Sequence, residues 1–144
     1  MAGTIVVDTS VLIKWIKTKD EELVVEGRRL LNQIEQDAIE VHVPALLLYE
    51  VGNILLLKTD LDQAKLDSTL GALEHLPLII APPATPLLQR AAQAGKRFGL
   101  TFYDAAFLAL AIELDCPLVT ADRRFFERTR SLPRVRHLAK VGSL

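Results

Sequence analysis

Four carboxylates stand at the junctions of apolar segments. Asp8 closes Thr4-Ile5-Val6-Val7, Glu50 lies inside Ala45–Leu57, Asp104 opens Ala105–Leu114, and Asp122 follows Pro117-Leu118-Val119-Thr120. Burying an ionised carboxylate costs several kcal/mol even after relaxation, so each needs a partner or a proton. None of these apolar segments contains a basic residue. Several carboxylates converging on one hard, oxygen-preferring divalent cation is the simplest shared solution.

A plainer reading exists for three of the acids. Asp8, Asp104 and Asp122 can each serve as a helix N-cap, a role worth about 1 kcal/mol. Glu50 has no such role, because Leu46, Leu47, Leu48, Val51, Ile54, Leu55 and Leu56 surround it within one helical segment. At helical spacing Leu46, Glu50, Asn53 and Leu57 share a face, which makes Asn53 the expected hydrogen-bond partner of Glu50.

The elements that must position these groups follow from periodicity and punctuation. The pattern predicts strands at Ile5–Val7, Val41–Val43, Leu78–Ala81 and Leu118–Thr120, with a fifth, edge strand at Val135–Leu138. It predicts helices at Val11–Ile16, Leu23–Ile34, Ala45–Leu57, Asp62–Leu76, Pro86–Phe98 and Ala105–Leu114, and a short one at Arg123–Arg128. Pro44 suits a helix start, Pro82 and Pro83 stop a strand, and Gly99 suits a left-handed C-terminal cap. Short apolar strands alternating with helices predict an α/β fold, with a central parallel sheet of about five strands and helices on both faces. Ligands in such sheets bind beyond the carboxyl ends of the strands, where Asp8 and Asp122 fall. Glu50 is expected at the same edge, and Asp104 at the start of a helix leading back towards the fourth strand.

Composition narrows the class. A chain of 144 residues, 50% hydrophobic, fits one compact domain spanning residues 1–144. Its single cysteine, Cys116, excludes an internal disulfide and any cysteine-based metal site. No run approaches the roughly 18 apolar residues of a membrane span, so a cytoplasmic protein is expected. His42, His75 and His137 lack zinc-helix spacing, and there is neither a Gly-rich phosphate loop nor a nucleophile elbow. The net charge of -1 hides an asymmetry: Ala121–Leu144 carries seven basic residues against Asp122 and Glu127. A basic segment beside an acidic pocket suits a phosphodiester substrate, and a solvated charged surface would look the same.

Val6-Val7-Asp8-Thr9-Ser10-Val11-Leu12, the Glu50 helix with Asn53 three residues on, Tyr103-Asp104-Ala105, and Leu118-Val119-Thr120-Ala121-Asp122 together resemble PIN-domain motifs, most closely those of VapC-type toxins. Each motif is weak alone; four in this order and spacing are specific. The resemblance implies a metal-dependent endoribonuclease using Mg²⁺ or Mn²⁺, one ion or two, held by Asp8, Glu50, Asp104 and Asp122, and leaving 5′-phosphate and 3′-hydroxyl ends. It also implies a homodimer, and a cognate antitoxin that covers the groove, often with a basic side chain in the acidic pocket. Thr9, Ser10 and Thr120 match positions whose hydroxyls support the acids. Arg123 and Arg124, beside Asp122, are candidate RNA phosphate contacts.

Two alternatives share the fold: a housekeeping RNA-processing nuclease, and a module that binds RNA or a partner without cutting. A receiver-like phosphoryl-transfer domain would want a second acid next to Asp8 or two residues after it, where Thr9 and Ser10 stand.

Overall fold

The computed structural model describes residues 3–142. The expected domain span also takes in residues 1, 2, 143 and 144, which lie outside the described residues. Five strands, β1 (Thr4–Val7), β2 (Glu40–Pro44), β3 (Leu78–Ala81), β4 (Leu118–Thr120) and β5 (Val135–His137), form one sheet in the order β3-β2-β1-β4-β5. Every pairing is parallel, with Val6 opposite His42 on one side and Leu118 on the other. The fold agrees with the expected α/β class and strand count.

The sheet is covered on both faces at its centre. Successive side chains of a strand point to opposite faces, yet Ile5, Val6 and Val7 are all buried, as are Leu118, Val119 and Thr120. The helices are α1 (Thr9–Ile16), α2 (Val24–Gln36), α3 (Leu46–Lys58), α4 (Gln63–Ala72), α5 (Thr85–Phe98), α6 (Phe102–Leu114) and α7 (Arg123–Arg128), of which α1 and α6 lie directly against the central strands. α6 is buried without interruption from Ala105 to Ala111, which explains why it shows no polar face. The edge strand β3 is different: Ile79 and Ile80 are both exposed.

Local chemistry sets most helix limits near their expected places. Gly99 caps α5 in the left-handed conformation at φ 66°, and Pro86 lies in its first turn. α2 starts one residue later than predicted, because Leu23 itself is left-handed at φ 58°. The segment predicted as one helix over Asp62–Leu76 breaks into α4 and a 3-10 turn at Leu73–His75. No residue of α4 is fully buried, so little packing holds its last turn in α form.

α1 and α2 pack closely through Gly27. A Cβ built there would stand 2.7 Å from Lys14 Cβ, and the Trp15 indole donates to the Gly27 carbonyl at 2.8 Å. That approach fixes the inner face of α1, which begins immediately after Asp8. No helix among the described residues is long and apolar enough to cross a membrane.

Candidate active site

β1 occupies the middle of the sheet, with later elements branching to either side of it, and such a reversal in strand order opens a crevice at the carboxyl edge. Asp8 stands there, 8% exposed, as the N-cap of α1. One carboxylate oxygen accepts from Ser10 Oγ at 2.5 Å and from the Val11 amide at 3.3 Å. The other accepts from Thr120 Oγ1 at 2.5 Å. Both hydroxyls are themselves oriented by backbone amides, Ser10 by Ala121 and Thr120 by Asp122. Each hydroxyl therefore has its proton free to point at Asp8.

Burial still outweighs these bonds. It pushes the Asp8 carboxyl up to about 6, against the lowering effect of Ser10, Thr120 and Val11, with the Asp122 charge adding a smaller upward push. Glu50, midway along α3 and partly buried, accepts from Thr9 Oγ1 at 2.7 Å. Burial raises Glu50 too, the Thr9 bond opposes this, and the Asp104 charge raises it further. Asp104 is raised first by burial and then by Asp122, while the Thr101 side chain and then Arg128 act in the opposite sense. Repulsion thus links the acids in a chain: Asp8 to Asp122, Asp122 to Asp104, Asp104 to Glu50.

All four acids line one pocket of about 410 Å³, with Thr9, Ser10 and Asn53. Two of the capping alternatives turn out to coexist with this gathering. Asp8 caps α1, and Asp122 caps α7 by accepting from the Phe125 amide at 3.1 Å. Asp104 is not a cap. Thr101 caps α6, accepting from the Asp104 amide at 3.1 Å, so Asp104 sits in the first turn with its carboxylate uncommitted to capping. Asn53 lines the pocket, but the Glu50 carboxylate takes its hydrogen bond from Thr9 instead. Thr9 approaches from another element, so helical spacing could not reveal it.

The donor set suits a divalent cation by type: four carboxylates, all hard oxygen ligands, without competing sulfur. The acids are not drawn into a finished cage. Among the described residues no group of three or more His, Cys, Asp or Glu side chains is placed to hold a metal ion.

Sequence reasoning missed the basic members of the pocket. Lys14 and Lys58 line it, together with Glu21. Glu21 clamps Lys14 at 2.8 Å and Lys17 at 3.2 Å, which holds its own carboxyl below the ordinary value even though burial pulls the other way. Helical spacing contained one usable signal, since Glu50, Ile54 and Lys58 recur every four residues along α3. Arg123 and Arg124 are exposed in the first turn of α7 and do not line the pocket.

A profile of the PIN domain family matches residues 5–132. Ribonuclease VapC1 of Mycobacterium tuberculosis is 34% identical over 122 residues, covering 83% of this chain and 86% of that protein. Among solved structures, a toxin-antitoxin complex from Klebsiella pneumoniae aligns with a TM-score of 0.70 at 17% identity, over 95% of this chain and 99% of that one. PAE2754 from Pyrobaculum aerophilum aligns with a TM-score of 0.65 at 24% identity, over 96% and 93%. These two likenesses speak for the fold.

Proposed function

Because the chain belongs to the PIN-domain family, we propose that it is an endoribonuclease, the toxin of a toxin-antitoxin pair, and that Asp8, Glu50, Asp104 and Asp122 form its cleavage site with Mg²⁺ or Mn²⁺. The observation that carries this reading is the meeting of four carboxylates from four separate segments in one pocket at the sheet's carboxyl edge.

When bound, a divalent cation would supply Lewis-acid activation of water and neutralise charge developing on the phosphorus. The chain's own contribution is orientation. Ser10 and Thr120 fix the Asp8 carboxylate in one rotamer and favour its ionised form. Thr9 does the same for Glu50 across the gap between α1 and α3. Asp104 and Asp122 complete the acidic wall at the open side, where a phosphodiester can reach them. Asp8 and Glu50, held this way, keep their orientation as substrate arrives, which is how preorganised groups contribute to electrostatic catalysis.

The partners belong to the same proposal. A cognate antitoxin would cover the pocket, in keeping with the Klebsiella relative, whose structure is a toxin-antitoxin complex. A homodimer is supported by an apolar groove of about 330 Å³ flanked by exposed Tyr49, Phe102 and Tyr103. A cytoplasmic site of action goes with an RNA substrate.

The deciding experiment is cleavage of a mixed structured RNA pool by the purified, antitoxin-free chain with Mg²⁺ or Mn²⁺, beside EDTA and Asp104→Asn controls. Metal-dependent cutting lost in both controls is expected. Failure of folded protein to cut any RNA in the pool would move the chain to the binding-only class.

A further inference from the structure

α3 carries more than Glu50 along its inner face. Glu50, Ile54 and Lys58 follow one another at four-residue intervals, which places Lys58 about 12 Å further along the helix axis. Lys58 lies on the boundary of two pockets. It lines the acidic one, and it also lines a larger cavity of about 700 Å³ at the α3 C-terminus.

That second cavity has a different character. Lys17, Lys19, Lys58 and Lys65 line it against Asp20 and Asp60, and its apolar part includes Ile16 and Leu61. Lys17 is held by Glu21, whereas Lys19, Lys58 and Lys65 enter no ion pair among the described residues. The acidic pocket, by contrast, holds five carboxylates against two lysines. An acidic pocket running into a lysine-lined one, with an apolar wall, matches the needs of a strand whose reacting phosphate requires carboxylates and whose neighbouring phosphates require cations.

We infer that the cavity beyond Lys58 is a subsite for the single-stranded RNA flanking the scissile phosphate, with Lys58 and Lys65 on its backbone and the Ile16–Leu61 wall against a base or ribose. This rests on the nuclease reading and extends it from the acids to a substrate track past the C-terminal end of α3, lined by no residue of the Arg-rich α7. The contact is to backbone, so it confers affinity and position without reading sequence.

The test is fluorescence anisotropy of a labelled, randomised single-stranded RNA in EDTA, where no cutting occurs, titrated across salt. Lys58→Ala/Lys65→Ala should bind several-fold more weakly than the unaltered chain and lower the log–log salt slope by about 1.4, two single-strand phosphate contacts. Its melting temperature should not change. Lys58→Arg/Lys65→Arg should keep the slope. Unchanged affinity and slope in the alanine variant would overturn the subsite alone. Displacement of the RNA by polyglutamate as readily as by unlabelled RNA would also overturn it and assign the cavity to an acidic protein segment. No RNA binding by the unaltered chain, either in EDTA or with Ca²⁺ in its place, would overturn the nuclease reading together with the subsite.

Discussion

The Thr120 hydroxyl, fully buried, donates to Asp8 Oδ2 at 2.5 Å across 112 positions of sequence, while its own oxygen accepts the Asp122 amide at 3.0 Å. One side chain thereby couples the ends of two neighbouring central strands and sets the state of the most buried acid in the pocket.

Thr120→Val keeps the shape and removes both bonds. The Asp122 amide is left without that acceptor and the Asp8 carboxylate loses a donor that lowers its pKa. A stability loss of about 1–3 kcal/mol is expected in urea melts. RNA cutting should fall more at pH 6.5 than at pH 8.5, because Asp8 stays protonated to higher pH. A uniform loss at both pH values would show a purely structural effect.

The raised acids also predict how the metal-free fold responds to pH. Asp8 moves from 3.8 to about 6 on folding, so between those values the folded chain holds more protons than the unfolded one. Metal-free stability contributed by this group therefore falls as pH rises through that window, by about 3 kcal/mol at most. His137, held below the usual 6.5 mainly by burial, acts in the opposite direction near that value. The informative quantity is accordingly the difference between the unaltered chain and Asp8→Asn in EDTA. That difference should grow from pH 4 to pH 7; a flat difference would contradict the assigned shift.

Asp104→Asn tests whether the acids share an ion. Asp104 carries no capping role and is pushed up by burial and by Asp122, so removing its charge should raise the metal-free melting temperature by a few degrees. Added Mn²⁺ should stabilise the variant less than the unaltered chain. Equal stabilisation of both by Mn²⁺ would remove Asp104 from the ion-holding set.

Thr9→Val deprives Glu50 of its only side-chain donor among the described residues and lets its pKa rise further. Activity at neutral pH should drop, with Thr9→Ser restoring most of it. If Thr9→Ser is as impaired as Thr9→Val, the methyl packing of Thr9 matters and the hydroxyl does not.

Gly27→Ala would normally favour a helix by up to about 1 kcal/mol. Here the new methyl would meet Lys14 Cβ at 2.7 Å and strain the Trp15 bond to the Gly27 carbonyl. A net loss of about 1–3 kcal/mol is expected. Trp15 is the sole tryptophan, so a shift in intrinsic fluorescence reports the local change directly.

Much of this architecture is legible in the residues themselves, for identifiable reasons. β1 and β4 are short, apolar runs ended by an acid, and burial on both faces of a parallel sheet leaves that signature in any order of reading. The start of α6 is harder because Thr101 and Asp104 are both competent caps three residues apart. Thr101-Phe102-Tyr103-Asp104 has the form of a capping box, which favours Thr101 and was the signal available. The partnership of Thr9 with Glu50 left no local trace, since it depends on how α1 and α3 cross. Glu21 and its lysines depend on the turn between α1 and α2 in the same way.

The strand order has a consequence in time. A chain leaving the ribosome presents Asp8 and Glu50 early, yet β1 lacks one of its two neighbours until β4 has emerged. Thr120 and Asp122 arrive with or just after that strand. Until then the nascent polypeptide has an unfinished carboxylate wall and Asp8 Oδ2 lacks its Thr120 donor, so the pocket is completed only after β4 has joined the sheet beside β1.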